Sequence, residues 1–78
     1  MINTIVALKE IQYEKKEPGA LLDSIRQRGV AIPVQVNRKD GSYECVDGSR
    51  RLTACEILGK EDQKFLRIPV MILNDFSK

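Results

Sequence analysis

Four glycines punctuate the middle of this chain, and they limit what it can build more than any other feature. Gly29, Gly41, Gly48 and Gly59 each follow an apolar or amphipathic run, and the widest interval between neighbours is 12 positions. Glycine ends helices and forms turns because it enters the left-handed backbone region at little steric cost. The runs between these stops therefore have to be short strands and short helices.

Taken in order, residues 2–11 read as a strand with its flanks, with Ile5, Val6, Leu8 and Ile11 as apolar positions. Residues 13–17 form a charged, solvated linker, and Pro18 suits the first turn of a helix running to about Arg28. Leu21, Leu22 and Ile25 share one stripe of that helix, Arg26 and Arg28 stand late in it where positive charge suits the dipole, and Gly29 caps it. Residues 32–36 and 43–46 make a hairpin about Asp40-Gly41, with Pro33 tolerated near its start. Asp47-Gly48 ends the hairpin, and residues 49–58 follow as a second helix with Leu52, Cys55, Ile57 and Leu58 apolar. After a polar excursion over 60–64, residues 68–73 return as a last strand with Pro69 near its edge or start. This order predicts an α/β (α+β) fold, a small mixed four-stranded sheet covered by two helices, as a single domain over residues 1–78.

Size and composition then bound the chemistry. A chain of 78 residues buries only about 60% of the surface its unfolded form exposes, so a shallow site is expected rather than a deep catalytic cleft. Lys and Arg exceed Asp and Glu by only 13 to 11, and a formal charge of +2 specifies neither a nucleic acid nor a membrane by itself. Histidine is absent, which excludes Ser-His-Asp and Cys-His catalysis within the chain. Cys45 and Cys55 lack CxxC spacing and read as two buried thiols in a reducing compartment. The carboxylates Asp23, Glu44, Asp47 and Glu56 are scattered, so no metal site is expected. The sequence shows neither a charged-then-apolar leader nor an apolar run near the ~20 residues of a membrane span, and a cytoplasmic protein is the expectation.

The stretch with chemical content is Asp47-Gly48-Ser49-Arg50-Arg51, at a strand-to-helix junction. The first N–H groups of a helix point outward in a positive field, and Gly48 lets an anion approach the backbone. Ser49 adds a hydroxyl donor, and Arg50 and Arg51 add guanidinium forks suited to phosphate. Adjacent helix positions diverge by about 100°, so one arginine is expected to bind while the other supports it. The competing reading is an ordinary helix capped by Asp47 or Ser49, its arginines solvated or paired to Asp47 and Glu56. Tyr13 and Tyr43 are candidates for stacking on a base, although Tyr43 also suits packing within the hairpin.

The pattern S-I-x-x-x-G-V-x-x-P-V-x-V over residues 24–36, the hairpin, G-x-R-R-x-x-A over residues 48–54, Leu58-Gly59 and Ile68-Pro69-Val70 occur in that order. Together they resemble the ParB/sulfiredoxin superfamily, specifically the N-terminal domain of ParB-type partition proteins, across most of the chain. The resemblance implies a small α/β sheet that binds a nucleotide, CTP in partition proteins and ATP in sulfiredoxins and related kinases, with Mg²⁺. It places Gly48, Ser49, Arg50 and Arg51 on the family's G-E-R-R phosphate motif, and Gly29, Val30 and Pro33 on its G-V-x-Q-P nucleotide loop. Kinases of the superfamily use an Asp-Gly motif at this junction, which implies that Asp47 reaches a Mg²⁺ or acts as a base toward a hydroxyl beside a bound phosphate.

Several positions depart from the pattern. Ser49 stands where partition proteins carry Glu, which puts hydrolysis in doubt while leaving phosphate contact, and Ile32 replaces a Gln. The sulfiredoxin version has its reactive Cys where Ser49 stands and its His where Arg50 stands, so sulfinic-acid repair is not expected, and neither Cys45 nor Cys55 substitutes by position. Lys15 and Lys16 stand as cationic substitutes for a Pro-Arg pair ahead of the first helix, and the residues after Leu73 hold no helix-turn-helix. The expected function is a nucleotide- or phosphate-binding accessory or regulatory module of a DNA partition or transcription system. Two alternatives stand beside it: an accessory protein whose basic motif meets the DNA backbone, and an interaction module, as a homodimer or hetero-complex, that has lost its ligand. Kinase, nuclease and nucleotide-hydrolysing activities stay open.

Overall fold

The computed structural model describes residues 2–76. Its elements are β1 (Ile2–Ala7), a 3₁₀ turn (Leu8–Glu10), β2 (Ile11–Gln12), α1 (Leu21–Arg28), β3 (Val34–Lys39), β4 (Ser42–Asp47), α2 (Ser49–Leu58), a second 3₁₀ turn (Gln63–Leu66) and β5 (Arg67–Asp75). The α+β class and the two helices agree with the sequence reading, whereas the strand count is five rather than four.

The fifth strand comes from the first segment. Residues 2–11 do not run as one strand: the 3₁₀ turn divides them, and the sheet order β1-β5-β3-β4-β2 sends the two halves to opposite edges. A flat five-stranded sheet would separate its outer strands by about 19 Å, but the four Cα steps from Ala7 to Ile11 span at most about 15 Å. The sheet therefore curls at this end, and Leu8 from the turn is buried beside Val6 and Ile11.

Central strands β3 and β5 run parallel, with β1 antiparallel to β5 and β4 antiparallel to β3. Their alternate residues Val34, Val36, Ile68, Val70 and Ile72 are buried with Leu52, Ala54, Cys55 and Leu58 of α2 and Ile25 of α1. Period-two alternation in the strands meets the helix stripe, and one core results.

Two boundaries shift for local reasons. α1 starts at Leu21 rather than at Pro18, because Gly19 takes φ 55° and Pro18 only accepts the turn bond from the Leu21 N–H at 3.1 Å. β3 starts at Val34 rather than at 32, since Pro33 has no N–H to donate, and Ile32 is left outside the strand and exposed. The expected stops hold elsewhere: Gly29 at φ 75° donates its N–H to Ile25 at 2.8 Å, and Gly41 at φ 74° turns the β3–β4 hairpin.

Candidate functional site

The β4-to-α2 junction is built by a bulge and a glycine. Val36 pairs with Cys45 and Gln35 with Asp47, so Val46 is the extra residue of a β-bulge that turns β4 toward the helix. Gly48 then takes φ 121°. A Cβ there would lie 3.0 to 3.3 Å from three carbons of Val34, so the glycine is required by close packing on β3 as well as by its backbone angle. The sequence alone assigns it the end of the hairpin and the approach of an anion, and not this packing role.

No side chain caps α2. Gly48 is the N-cap residue, and neither Asp47 nor Ser49 returns a hydrogen bond to the first turn. The capped-helix alternative is thereby corrected: Asp47 ends β4, and the Ser49 hydroxyl lies 3.7 Å from Cys45 Sγ instead. The N–H groups of the first turn keep their outward donors and the positive end of the helix dipole.

Around this helix start is a cleft of about 410 Å³ lined by Lys16, Leu21, Val46, Asp47, Gly48, Ser49, Arg50 and Arg51. Arg51 is half-buried and Arg50 exposed, yet both line it, and neither pairs with Asp47 or Glu56. Glu56 is engaged by the linker: Lys15 Nζ lies 3.2 Å from Oε2, and the Tyr13 hydroxyl donates to Oε1 at 3.1 Å. These bonds hold the Glu56 carboxyl below its ordinary range, the Lys15 contact first. Burial foremost, then the Glu56 charge, pushes the Tyr13 hydroxyl up to about 12. Tyr13 is therefore a structural tether, and Tyr43 packs against the core.

Lys16 reaches the cleft through a contact that sequence reasoning missed. Thr53, almost wholly buried, accepts from the Lys16 backbone N–H at 3.0 Å and donates to the Ser49 carbonyl at 2.9 Å. One hydroxyl thus pins the linker across the first turn of α2. The available signal was a hydroxyl residue in the apolar stripe of a helix, able to bond back by one turn.

Gly29 and Val30 line a different depression, at the C-terminal end of α1, which shares no lining residue with the Gly48 cleft. Pro33 is half-buried just ahead of β3. The structure therefore brings together Asp47, Gly48, Ser49, Arg50 and Arg51, adds Lys16, and leaves the Gly29 loop apart.

Cys45 stands beside Ser49, while Cys55 is buried in the core. Burial pushes the Cys45 thiol up, with the Ser49 bond opposing, so its nucleophilic thiolate is scarce near neutral pH. Among the described residues no group of three His, Cys, Asp or Glu side chains could hold a metal. Asp47 is the one carboxylate lining the cleft, so a Mg²⁺ arriving on a polyphosphate would take its ligands mainly from the phosphates.

The family model of the ParB N-terminal domain matches residues 3–77. No curated protein sequence matches the chain. Among solved structures, sulfiredoxin from Arabidopsis thaliana superposes with a TM-score of 0.76 at 26% identity, covering 95% of this chain and 86% of that one. The C-terminally truncated chromosome-partitioning protein ParB from Caulobacter crescentus, complexed with CTP-gamma-S, superposes with a TM-score of 0.73 at 23% identity. That match covers 95% of this chain and 45% of the Caulobacter chain.

Proposed function

Because the chain belongs to the ParB N-terminal domain family, we propose that it is a nucleotide-binding module that holds a polyphosphate at the start of α2. The observation that carries this reading is the uncapped helix start, opening into a cleft lined by Lys16, Arg50 and Arg51. The N–H groups of the first turn receive non-bridging oxygens, Arg51 supplies a partly desolvated fork, and Arg50 and Lys16 neutralise the remaining charge. Asp47 completes the shell of a phosphate-bound Mg²⁺. CTP is the first nucleotide to try, since the Caulobacter protein was crystallised with CTP-gamma-S. The reading does not rest on Gly29, Val30 or Pro33.

A module of this kind serves a DNA partition or transcription system as an accessory or regulatory part, reporting nucleotide occupancy to a partner. Titration calorimetry with CTP, ATP and GTP, each with Mg²⁺, tests the binding. Heat is expected with at least one of them, and Arg51→Ala should weaken it by about 1.5–3 kcal/mol, roughly 10- to 150-fold. No heat with any of the three at about millimolar concentration, or an affinity indifferent to Arg51→Ala, sinks the reading.

A further inference from the structure

The two edges of the sheet are built differently. At one edge β2 offers only Ile11 and Gln12, and the charged linker follows close behind it. At the other edge β1 is six residues long, Ile2 to Ala7, and it pairs with β5 over its whole length without a register shift. Shortness, charge, proline and bulges are the means by which proteins keep an edge strand from pairing with another chain. β1 has none of them, in a chain of which 31% is charged. Among the described residues β5 is its one strand neighbour, and no other backbone bond engages Ile2 to Ala7.

The apolar surface of β1 lies on both faces of the sheet. Opposite Ile72, Val70 and Ile68, the residues Ile2, Thr4 and Val6 share the helix-covered face, while Asn3 and Ile5 stand on the other. Ile2 is 61% exposed and Ile5 57%, whereas Val6, beside the curl, is buried. A ligand resting on one face would cover only one of the two isoleucines. A strand laid alongside covers both and also takes up the outward N–H and C=O groups.

This neutral, unbroken edge fits itself. A two-fold axis normal to the sheet sets two copies of β1 antiparallel and keeps their faces aligned, so each residue meets one from the same face. With the axis at Thr4, Ile2 lies opposite Val6 of the second copy, Asn3 opposite Ile5, and Thr4 opposite Thr4. Both exposed isoleucines then stand inside the ladder, and no like charges oppose one another. We propose that β1 is a docking edge for a second copy of this chain, joined antiparallel about Thr4 into one continuous sheet. An edge of about 20 Å makes a smaller interface than the roughly 800 Å² per partner of a standard one, so the dimer is weak and forms at high protein concentration. It uses no residue of the Gly48 cleft and does not rest on nucleotide binding.

Sedimentation equilibrium of the untagged full chain from about 10 μM to about 1 mM tests the proposal. The weight-average mass should rise from 8.9 kDa toward twice that value, equally at about 50 and about 500 mM KCl because the edge is neutral. Thr4→Lys and Thr4→Glu, at an exposed position, each set like charges face to face across the axis, so either variant alone should stay monomeric over this range. An equimolar mixture of the two should recover the dimer, now weakened by salt, and that recovery also shows that both variants are folded. Four outcomes overturn the proposal: a wild-type chain that stays monomeric throughout, a wild-type dimer that salt dissolves, a dimer that either variant retains alone, or a mixture that stays monomeric.

Discussion

Gly48 carries two demands at once, and they have different visibility. Its place after a strand and before Ser49-Arg50-Arg51 is plain in the sequence, and so is the prospect of an anion at that helix start. The contact with Val34, 14 positions earlier, is not, because it depends on β3 and β4 pairing with a bulge at Val46. Gly48→Ala combines an unfavourable φ of 121° with a Cβ pressed against a fully buried valine. It should cost about 2–3 kcal/mol of stability, seen as a lowered urea midpoint at unchanged slope; a midpoint equal to wild type would place the glycine's value in ligand access alone. Thr53 illustrates the opposite case. Its two bonds join segments 37 positions apart, and no local pattern announces a partner at that distance.

At the scale of elements, the linker between β2 and α1 is the part the sequence describes least well. Five residues rich in charge read as a solvated excursion, yet Tyr13, Lys15 and Lys16 tie it to α2 through Glu56 and Thr53. Charge alone marks a segment as water-compatible without saying which charges are satisfied by protein. The Tyr13 tether has a pH signature. Its hydroxyl titrates near 10 when unfolded and is pushed up to about 12 when folded, so the native state holds the proton more tightly. That stabilisation is fully present below about 10 and is lost as pH rises toward about 12. Tyr13→Phe should flatten the decline of the urea midpoint across this window relative to wild type, and parallel curves would deny the tether. The helices themselves were legible in type, since the Leu21/Leu22/Ile25 stripe and the apolar positions of α2 have the right period. Their stops at Gly29 and Gly59 were legible as well, but the start of α2 was not: the competing reading that capped it with Asp47 or Ser49 fails, since no side chain caps it.

For the whole molecule, burial distinguishes two thiols that the composition treats alike. Cys55 is 1% exposed and its thiol is pushed up to about 11 by burial, whereas Cys45 is half-buried near the Gly48 cleft. A thiol-reactive dye at neutral pH should label Cys45 slowly in the native state and Cys55 only at the rate of global opening, accelerated by urea. Equal labelling rates in the native state would mean that α2 does not hold its face on the sheet. Charge is distributed in the same selective way: an excess of +2 says little, but folding gathers cations into two clefts at the two ends of α1.

By itself the sequence determined the order and type of most elements, the turn positions and the Gly48-to-Arg51 motif, because periodicity, glycine stops and helix-start chemistry act over a few residues. Only the tertiary structure decided that residues 2–11 split between the two sheet edges, that Lys16 joins the motif while the Gly29 loop does not, and that Arg28 and Arg67 line one depression. Each of those outcomes depends on which strand lies beside which. Strand pairing is a long-range choice made by shared burial across the curled sheet, and no local pattern encodes it.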